Sequence, residues 1–323
     1  MSAELRRPSE FLPAAGWIEL SGRAQLRLTG RDRATFLHNF CSNDIKRLQP
    51  GQGCEAFVTN VKGRIVGHVH VSAEADSLVL ESASGSAETL VRHLDRYIIT
   101  EDVQIADETL GLAAFYVFGH ESADPVRQVT HCDATRLGRW EHFQGMIGDD
   151  RVAVRRIDFT QAPGFEIVGP LSAKAVILQR LRESDCLPVT AADAEAFRID
   201  AGFPRSGVDL TEDHLAQEAS RNANAISFTK GCYLGQEPIA RIDALGHVNR
   251  LLRIVVFERG VSLAVGDRVS DPESGNELGV LTSVGGLAES ATVGLAVVRT
   301  SAGPGAEVVA GPNRATGRVV AID

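Results

Sequence analysis

Apolar and polar positions change period several times along the chain, and each change marks an element. Leu26-Arg27-Leu28-Thr29 alternates as a short strand does, Gly30-Arg31-Asp32 interrupts it, and Ala34, Phe36, Leu37 and Phe40 then share one face of a short helix. Ala56 to Val61 and Arg64 to Val71 flank the turn signal Lys62-Gly63, and Ser77 to Glu81 adds a third strand, which predicts an antiparallel meander. In the middle strand Ile65, Val69 and Val71 share one face. His68 and His70 share the other, because strand side chains alternate with period two.

Leu90, Val91, Leu94, Tyr97 and Ile98 predict one amphipathic helix, and Ala173, Val176, Ile177 and Leu181 predict another behind Ser172 as N-cap. Thr190-Ala-Ala-Asp193 has capping-box spacing ahead of a helix that carries Phe197, Arg198 and Ile199 and stops at Gly202 and Pro204. Helices alternating with groups of strands define an α+β class. From Leu251 the texture changes to six short apolar stretches (Leu251 to Phe257, Arg268 to Ser270, Leu278 to Val284, Thr292 to Val298, Glu307 to Ala310, Gly317 to Ile322) with no helix between them. These predict a small barrel or sandwich, with the boundary near Gly246, so that residues 1–245 and 246–323 form two regions.

The 323 residues, 44% hydrophobic and 23% charged, suit a globular chain of two domains at about 150 residues each. A net charge of −9 repels polyanions, so non-specific nucleic-acid binding is not expected. Five cysteines, an odd number without a C-x-x-C pair, suit reduced thiols and no structural zinc site. The stretch from Met1 to Pro8 lacks the apolar core of a signal peptide, and the longest apolar run, Leu110 to Phe118, is too short to span a membrane. A cytoplasmic protein with no membrane partner is expected.

The stretch richest in chemistry is Lys230-Gly-Cys-Tyr-Leu-Gly-Gln-Glu237, followed by Arg241. It has no helical or strand period and reads as a functional loop, in which Gly231 and Gly235 permit close approach of a ligand or a second chain. An ammonium such as that of Lys230 near Cys232 would stabilise the thiolate, the form that attacks electrophiles or binds metal. The alternative is a buried structural cysteine beside Tyr233 and Leu234.

Lys230-Gly-Cys-Tyr-x-Gly-Gln-Glu237 with Arg241 resembles the signature of the YgfZ branch of the folate-binding aminomethyltransferase (glycine-cleavage T-protein) superfamily. The segments Leu28 to Asp44, Asn60 to Arg64, Gly164 to Ile167, Phe197 to Gly202 and Gln217-Glu218 resemble family segments in the family's order. The resemblance implies a T-protein-like cloverleaf of two intertwined α+β lobes around a folate channel, closed by a C-terminal β-barrel. It also implies tetrahydrofolate as cofactor and an accessory role in iron-sulfur cluster assembly or repair. Through cluster-dependent enzymes that role extends to tRNA modification, with iron-sulfur assembly proteins or iron-sulfur enzymes as partners.

On matching positions the resemblance implies that Glu166 is the pterin-binding carboxylate, that Arg198 lies near the folate with Asn60, Lys62 and His68 on the same side of the site, and that Cys232 carries the reactive chemistry with Lys230, Gln236, Glu237 and Arg241 around it. The residues themselves also allow an exposed strand carboxylate at Glu166, a solvated charge at Arg198 and ordinary turn chemistry at Asn60 and Lys62. The aminomethyltransferases that the chain resembles carry an Asp pair where Gly67 and His68 fall, so classical glycine-cleavage activity is not expected. The alternative function is a folate-dependent one-carbon transferase with an unknown acceptor, in which Cys232 or His68 takes the missing carboxylate's role. One thiol cannot hold an iron-sulfur cluster, which usually needs about four thiolates. Cys232 would therefore act transiently, with a partner's ligands or in thiol exchange.

Overall fold

The computed structural model describes residues 5–322, so Met1 to Glu4 of the N-terminal stretch read above lie outside it. The first half of the chain forms β1 (Gly16–Glu19), β2 (Ala24–Thr29), α1 (Arg33–Phe40), β3 (Gly53–Thr59), β4 (Ile65–Ala73), β5 (Leu78–Ser82), α2 (Ala87–Asp95), β6 (Gln104–Asp107), β7 (Leu112–Phe118) and α3 (Ala123–Thr130). The middle forms β8 (His142–Ile147), β9 (Asp150–Arg156), β10 (Gly164–Pro170), α4 (Lys174–Glu183), β11 (Leu187–Pro188), α5 (Ala191–Asp200), α6 (Asn222–Ala225) and α7 (Gln236–Leu245). Six strands follow: β12 (Arg250–Phe257), β13 (Arg268–Ser270), β14 (Glu277–Gly285), β15 (Thr292–Arg299), β16 (Glu307–Ala310) and β17 (Ala315–Val320).

The expected meander is present as β3-β4-β5, and β2 and β6 extend it into a five-stranded sheet of order β3-β4-β5-β2-β6. A second sheet runs β11-β1-β7-β10-β9-β8, and the last six strands close into a barrel of order β12-β15-β14-β13-β16-β17. The lobes are intertwined. Strand β1 belongs to the second sheet although it precedes the whole first one, and the chain after α5 returns to the first sheet, where the Ile65 amide donates to the His214 carbonyl at 3.0 Å.

Each sheet follows the strand period and has one apolar face. Leu26, Leu28, Val69, Val71 and Leu80 pack with Phe36 and Leu37 of α1 and Leu90 and Leu94 of α2. On the second sheet Phe115, Val117, Val154, Phe165 and Ile167 pack with Val126 and Val129 of α3 and Ile177 and Leu181 of α4. Each fully buried side chain of this kind contributes about 1.5–3 kcal/mol. In β12 both faces are covered: Val255 and Phe257 fill the barrel, while Leu252, Ile254 and Val256 pack outward with Ile199 of α5. That double burial explains why Ile254 to Phe257 reads as an unbroken apolar run.

Thr190 caps α5 as its spacing predicts, with its hydroxyl accepting from the Asp193 amide at 3.1 Å. Three local readings need correction. Helix α2 ends at Asp95, so Tyr97 and Ile98 lie in the turn beyond it and still pack against the same core. Ser172 is not the cap of α4, because its hydroxyl donates to Asp150 instead. Gln236, Glu237 and Arg241 are helical, since Gly235 turns the chain with φ +81° into α7 and Pro238 falls in the first turn, where a proline is tolerated. Among the described residues no helix is long and apolar enough to cross a membrane.

Candidate functional site

The faces of the two sheets that are not apolar turn toward each other. By register, Gln25, Glu81, His70 and Glu55 stand side by side on the first sheet, and Tyr116, Glu166, Arg155 and His142 do so on the second. Beside this buried polar layer lies a cavity of about 630 Å³, whose walls include Ile18, Leu20, Tyr116, Phe118, Phe159 and Phe203, with Arg23, His68, His70, Glu195, Arg198 and Arg205 among its polar residues. The aromatic rings support one another. Phe159 lies 4.9 Å from both Tyr116 and Phe203, the Arg23 guanidinium sits 4.7 Å above the Phe159 ring, and His70 stacks on Trp140 at 4.8 Å. Such walls present flat π surfaces to a ligand ring or cation.

Arg23 and His70 connect the cavity to a buried charge cluster. Arg23 donates to Glu81 at 2.5 Å, while Arg155 donates to Gln25 at 2.9 Å and to Glu166 at 3.3 Å. Burial and the neighbouring Glu81 charge push the Glu166 carboxyl well above the usual range. Burial opposes ionisation of Glu81 too, but Arg23 leads the groups that pull it down to about 2. The two carboxyls therefore share one proton, held by Glu166, which accounts for the Glu81 and Glu166 oxygens that lack any other donor. Gln25 Nε2, Arg155 Nε and both ring nitrogens of His70 are buried without a hydrogen-bond partner. Burial holds His70 down to about 3, so its imidazole is neutral at physiological pH.

His68 has different company. Its Nε2 lies 2.7 Å from Glu55 Oε1, and Arg221 donates Nε and Nη2 to the two Glu55 oxygens. Glu55, fully buried, is nonetheless held ionised: burial opposes the charge, and Arg221 outweighs it. Glu55, His68 and His70 bring ligand-type atoms within 4.8 Å of one another. The Arg221 fork occupies both carboxylate oxygens, so a cation there would have to displace a guanidinium, and the donor set does not make a metal site. Gly67, the other position where the aminomethyltransferases carry Asp, faces away from the cavity. An added Cβ there would lie 2.6 Å from Leu90.

The residues singled out from the sequence fall into two groups. Glu166, His68 and Arg198 belong to the cavity or its buried cluster. Arg198 lines the cavity, yet its guanidinium is fully engaged, donating to Glu195, Asp209, the Phe203 carbonyl and Ser283. It ties the barrel to the cavity floor, and the exposed Arg205 lies at the cavity rim, where it donates to Glu195 at 3.0 Å.

Asn60, Lys62, Lys230, Cys232, Gln236, Glu237 and Arg241 form the second group, around the start of α7, and all but the buried Lys230 reach the surface. Asn60 Oδ1 accepts from the amides of Lys62 and Arg64 and so closes the turn, while Lys62 is exposed. That turn packs on the thiol loop: an added Cβ on Gly63 would lie 3.1 Å from the Gly235 carbonyl. Cys232 is exposed. Lys230 departs from the expectation, because its ammonium is buried and donates to the carbonyls of His38, Cys41 and Asn43 at 2.5–2.8 Å. A cation satisfying the open carbonyls at the end of α1 is a structural clamp that fixes where the loop leaves the core. Glu237 and Arg241 are exposed on α7, and Gln236 is half-buried at its first turn.

Arg23, Gln25, Glu55, Glu81, Arg155 and Arg221 were not singled out by sequence. Gln25 and Glu55 stand in strands between apolar neighbours, a pattern that by itself reads as a solvent face, and Arg23 and Arg221 lie outside the strands and carry no such signal.

The family described as the GCVT N-terminal domain matches residues 10–229, and the chain belongs to that family. A chloroplastic protein of Arabidopsis thaliana that carries a provisional transferase name is 27% identical over 296 residues, covering 88% of this chain and 65% of its own length. The chain thus spans less than two thirds of that relative. An aminomethyltransferase of Rubrobacter xylanophilus is 24% identical over 274 residues, covering 83% of this chain and 72% of its own. The glycine cleavage system aminomethyltransferase T from Bartonella henselae superposes with a TM-score of 0.78 at 19% identity, over 96% of this chain and 86% of that one. The chain therefore has the aminomethyltransferase fold, with its barrel included.

Proposed function

We propose that the protein binds tetrahydrofolate in the cavity between its sheets and acts through the Cys232 loop as an accessory to iron-sulfur cluster assembly or repair, and thereby to tRNA modification. In this reading residues 1–245 form the folate-binding region, 246–323 form the barrel, and the protein belongs to the YgfZ branch. The observation that carries the folate reading is the match between the cavity and a pterin. Flat aromatic walls adjoin a buried carboxyl pair and unpartnered donors and acceptors on Gln25, Arg155 and His70. A pterin is planar and has a donor-rich edge, which Glu81 and Glu166 would accept, while Arg205 at the rim would meet the carboxylates of the glutamyl tail. Bound there, tetrahydrofolate supplies a carrier for one-carbon units.

The exposed Cys232 on a clamped loop supports an encounter with a second protein rather than with the cavity's ligand. A second reading, a folate-dependent one-carbon transferase, is favoured by the His68–Glu55–Arg221 alignment at the cavity wall. Two measurements test the proposal. Native mass spectrometry with tetrahydrofolate is expected to show one folate per chain, and its absence would overturn the folate assignment. Cys232→Ala is expected to fold and to bind folate like the parent, with global stability within about ±0.5 kcal/mol. It is also expected to fail to restore cluster-dependent enzyme activity in cells lacking the protein. Full restoration would remove the thiol from the account.

A further inference from the structure

We infer that a second cavity, separate from the proposed folate site, binds the phosphate group of a small phosphorylated molecule, with Arg7, Arg139, Arg156 and Arg221 as its donors. This cavity has a volume of about 540 Å³ and shares Phe203 and Thr160 with the first as a common wall. The inference goes beyond the folate reading and does not rest on it.

Four separate segments of the chain deliver the arginines. Arg7 comes from the stretch before β1, Arg139 from the loop before β8, Arg156 from the end of β9 and Arg221 from just before α6. Backbone bonds hold two of these segments together: the Trp140 amide donates to the Arg156 carbonyl at 2.9 Å, and the Arg156 amide donates to the Glu141 carbonyl at 2.8 Å. Arg139 is thereby set beside Arg156, with its guanidinium 4.9 Å from the Trp140 ring.

A guanidinium is always charged, so the carboxylates around the cavity can be set against the arginines one by one. Arg7 is matched by the fully buried Asp200, to which its Nε donates at 2.6 Å, and Arg221 is matched by Glu55. Arg139 and Arg156 have Asp158 between them. Arg156 Nε donates to it at 2.9 Å, and Arg139 Nε stands 3.8 Å away. Four guanidinium groups therefore meet three carboxylates, in a chain whose net charge is −9. Donors are left over as well. After the bonds to Asp200, Glu55, Asp158, Asn224 and the Leu137 carbonyl, Nη1 of Arg7 and Arg221 and Nη2 of Arg139 and Arg156 have no partner among the described residues.

Those spare donors suit the terminal oxygens of a phosphate monoester, which carries about −1.5 to −2 charges at pH 7 and pairs with guanidinium forks through charge-assisted hydrogen bonds. The lining also includes Phe203 with Ile254 and Val320 of the barrel, which gives an uncharged organic body apolar surface to rest on. Nucleic acid is disfavoured as the source of the phosphate, because the chain as a whole repels a polyanion.

The test is calorimetric titration of the full chain with phenyl phosphate in chloride buffer, with phenol as the uncharged control. One phenyl phosphate per chain is expected, with a Kd of about 1 mM or tighter, and no binding of phenol. Arg139→Gln, at a side chain that is 41% exposed, is expected to fold like the parent and to weaken phenyl phosphate about tenfold, with tetrahydrofolate affinity kept within about threefold. Arg156→Lys keeps the charge but loses the fork, and a loss of about the same size is expected. No binding of phenyl phosphate by the parent, equal binding by the parent and Arg139→Gln, or tighter binding of a single-stranded RNA oligonucleotide that Arg139→Gln abolishes would each overturn the inference. So would a loss of tetrahydrofolate affinity in step with that of phenyl phosphate, since the arginines would then serve the folate's own carboxylates. Phenyl phosphate binding by a parent that binds no tetrahydrofolate would overturn the folate reading and support this one.

Discussion

Arg221→Ala is expected to destabilise the protein by about 3–5 kcal/mol, because it leaves the Glu55 carboxylate buried without its counter-charge. Glu55 is fully buried and Arg221 nearly so, and the guanidinium also lies 5.0 Å above the Phe203 ring, so one truncation removes a buried ion pair and part of the cavity wall. The remaining partner, His68, is a poor substitute for the fork, since it must be protonated to carry charge. Combining Arg221→Met with Glu55→Gln removes both charges and is expected to recover a large part of the loss. Urea unfolding of the two variants and the parent measures this. A loss below about 1 kcal/mol in Arg221→Ala would mean that the pair is hydrated and that the layer between the sheets is not the closed interior described above.

The two glycines that bracket Cys232 are expected to respond very differently. Gly235 sits at φ +81°, and a Cβ there would lie 2.4 Å from the Asn60 carbonyl oxygen and 3.0 Å from the Gly63 backbone. Left-handed backbone for alanine and overpacking against main chain each cost about 1–3 kcal/mol, so Gly235→Ala is expected to lose about 2–6 kcal/mol in total. It would also push the Asn60–Gly63 turn away from the start of α7. Gly231 has open space around its Cβ position, and Gly231→Ala is expected to stay within about 0.5 kcal/mol of the parent. Thermal unfolding of the pair decides the matter. Equal effects would show that the loop does not pack on the turn in this way.

This contrast shows where sequence reading stops. Both glycines look alike in the motif, but only one faces a distant backbone oxygen, and nothing in local spacing records that neighbour. Short-range periodicity carried far: the meander, the Thr190 cap and all six barrel strands were legible, because alternation and capping are local. The opposed faces of His68 and Val69 were legible for the same reason. That the polar face is an interior one was not, since Gln25, Glu81 and Glu166 look like solvent-facing strand residues until the second sheet covers them. Lys230 illustrates the converse. Two positions from a cysteine it reads as an electrostatic neighbour, whereas it reaches back almost two hundred residues to the end of α1. Its role is set by a long-range contact that the motif cannot display.

Calorimetric titration of tetrahydrofolate into the parent protein and into Glu166→Gln tests the central claim, that the buried layer between the two sheets recognises a pterin. Glu166 is fully buried and holds the proton it shares with Glu81, so the amide keeps the size of the side chain and can still donate to Glu81 but cannot ionise to meet the pterin's donor edge. The account predicts one site per chain and a loss of about 1.5–3 kcal/mol in Glu166→Gln, roughly ten- to hundredfold in affinity. Equal affinity in the two proteins, or no binding heat in the parent across temperatures, would contradict it.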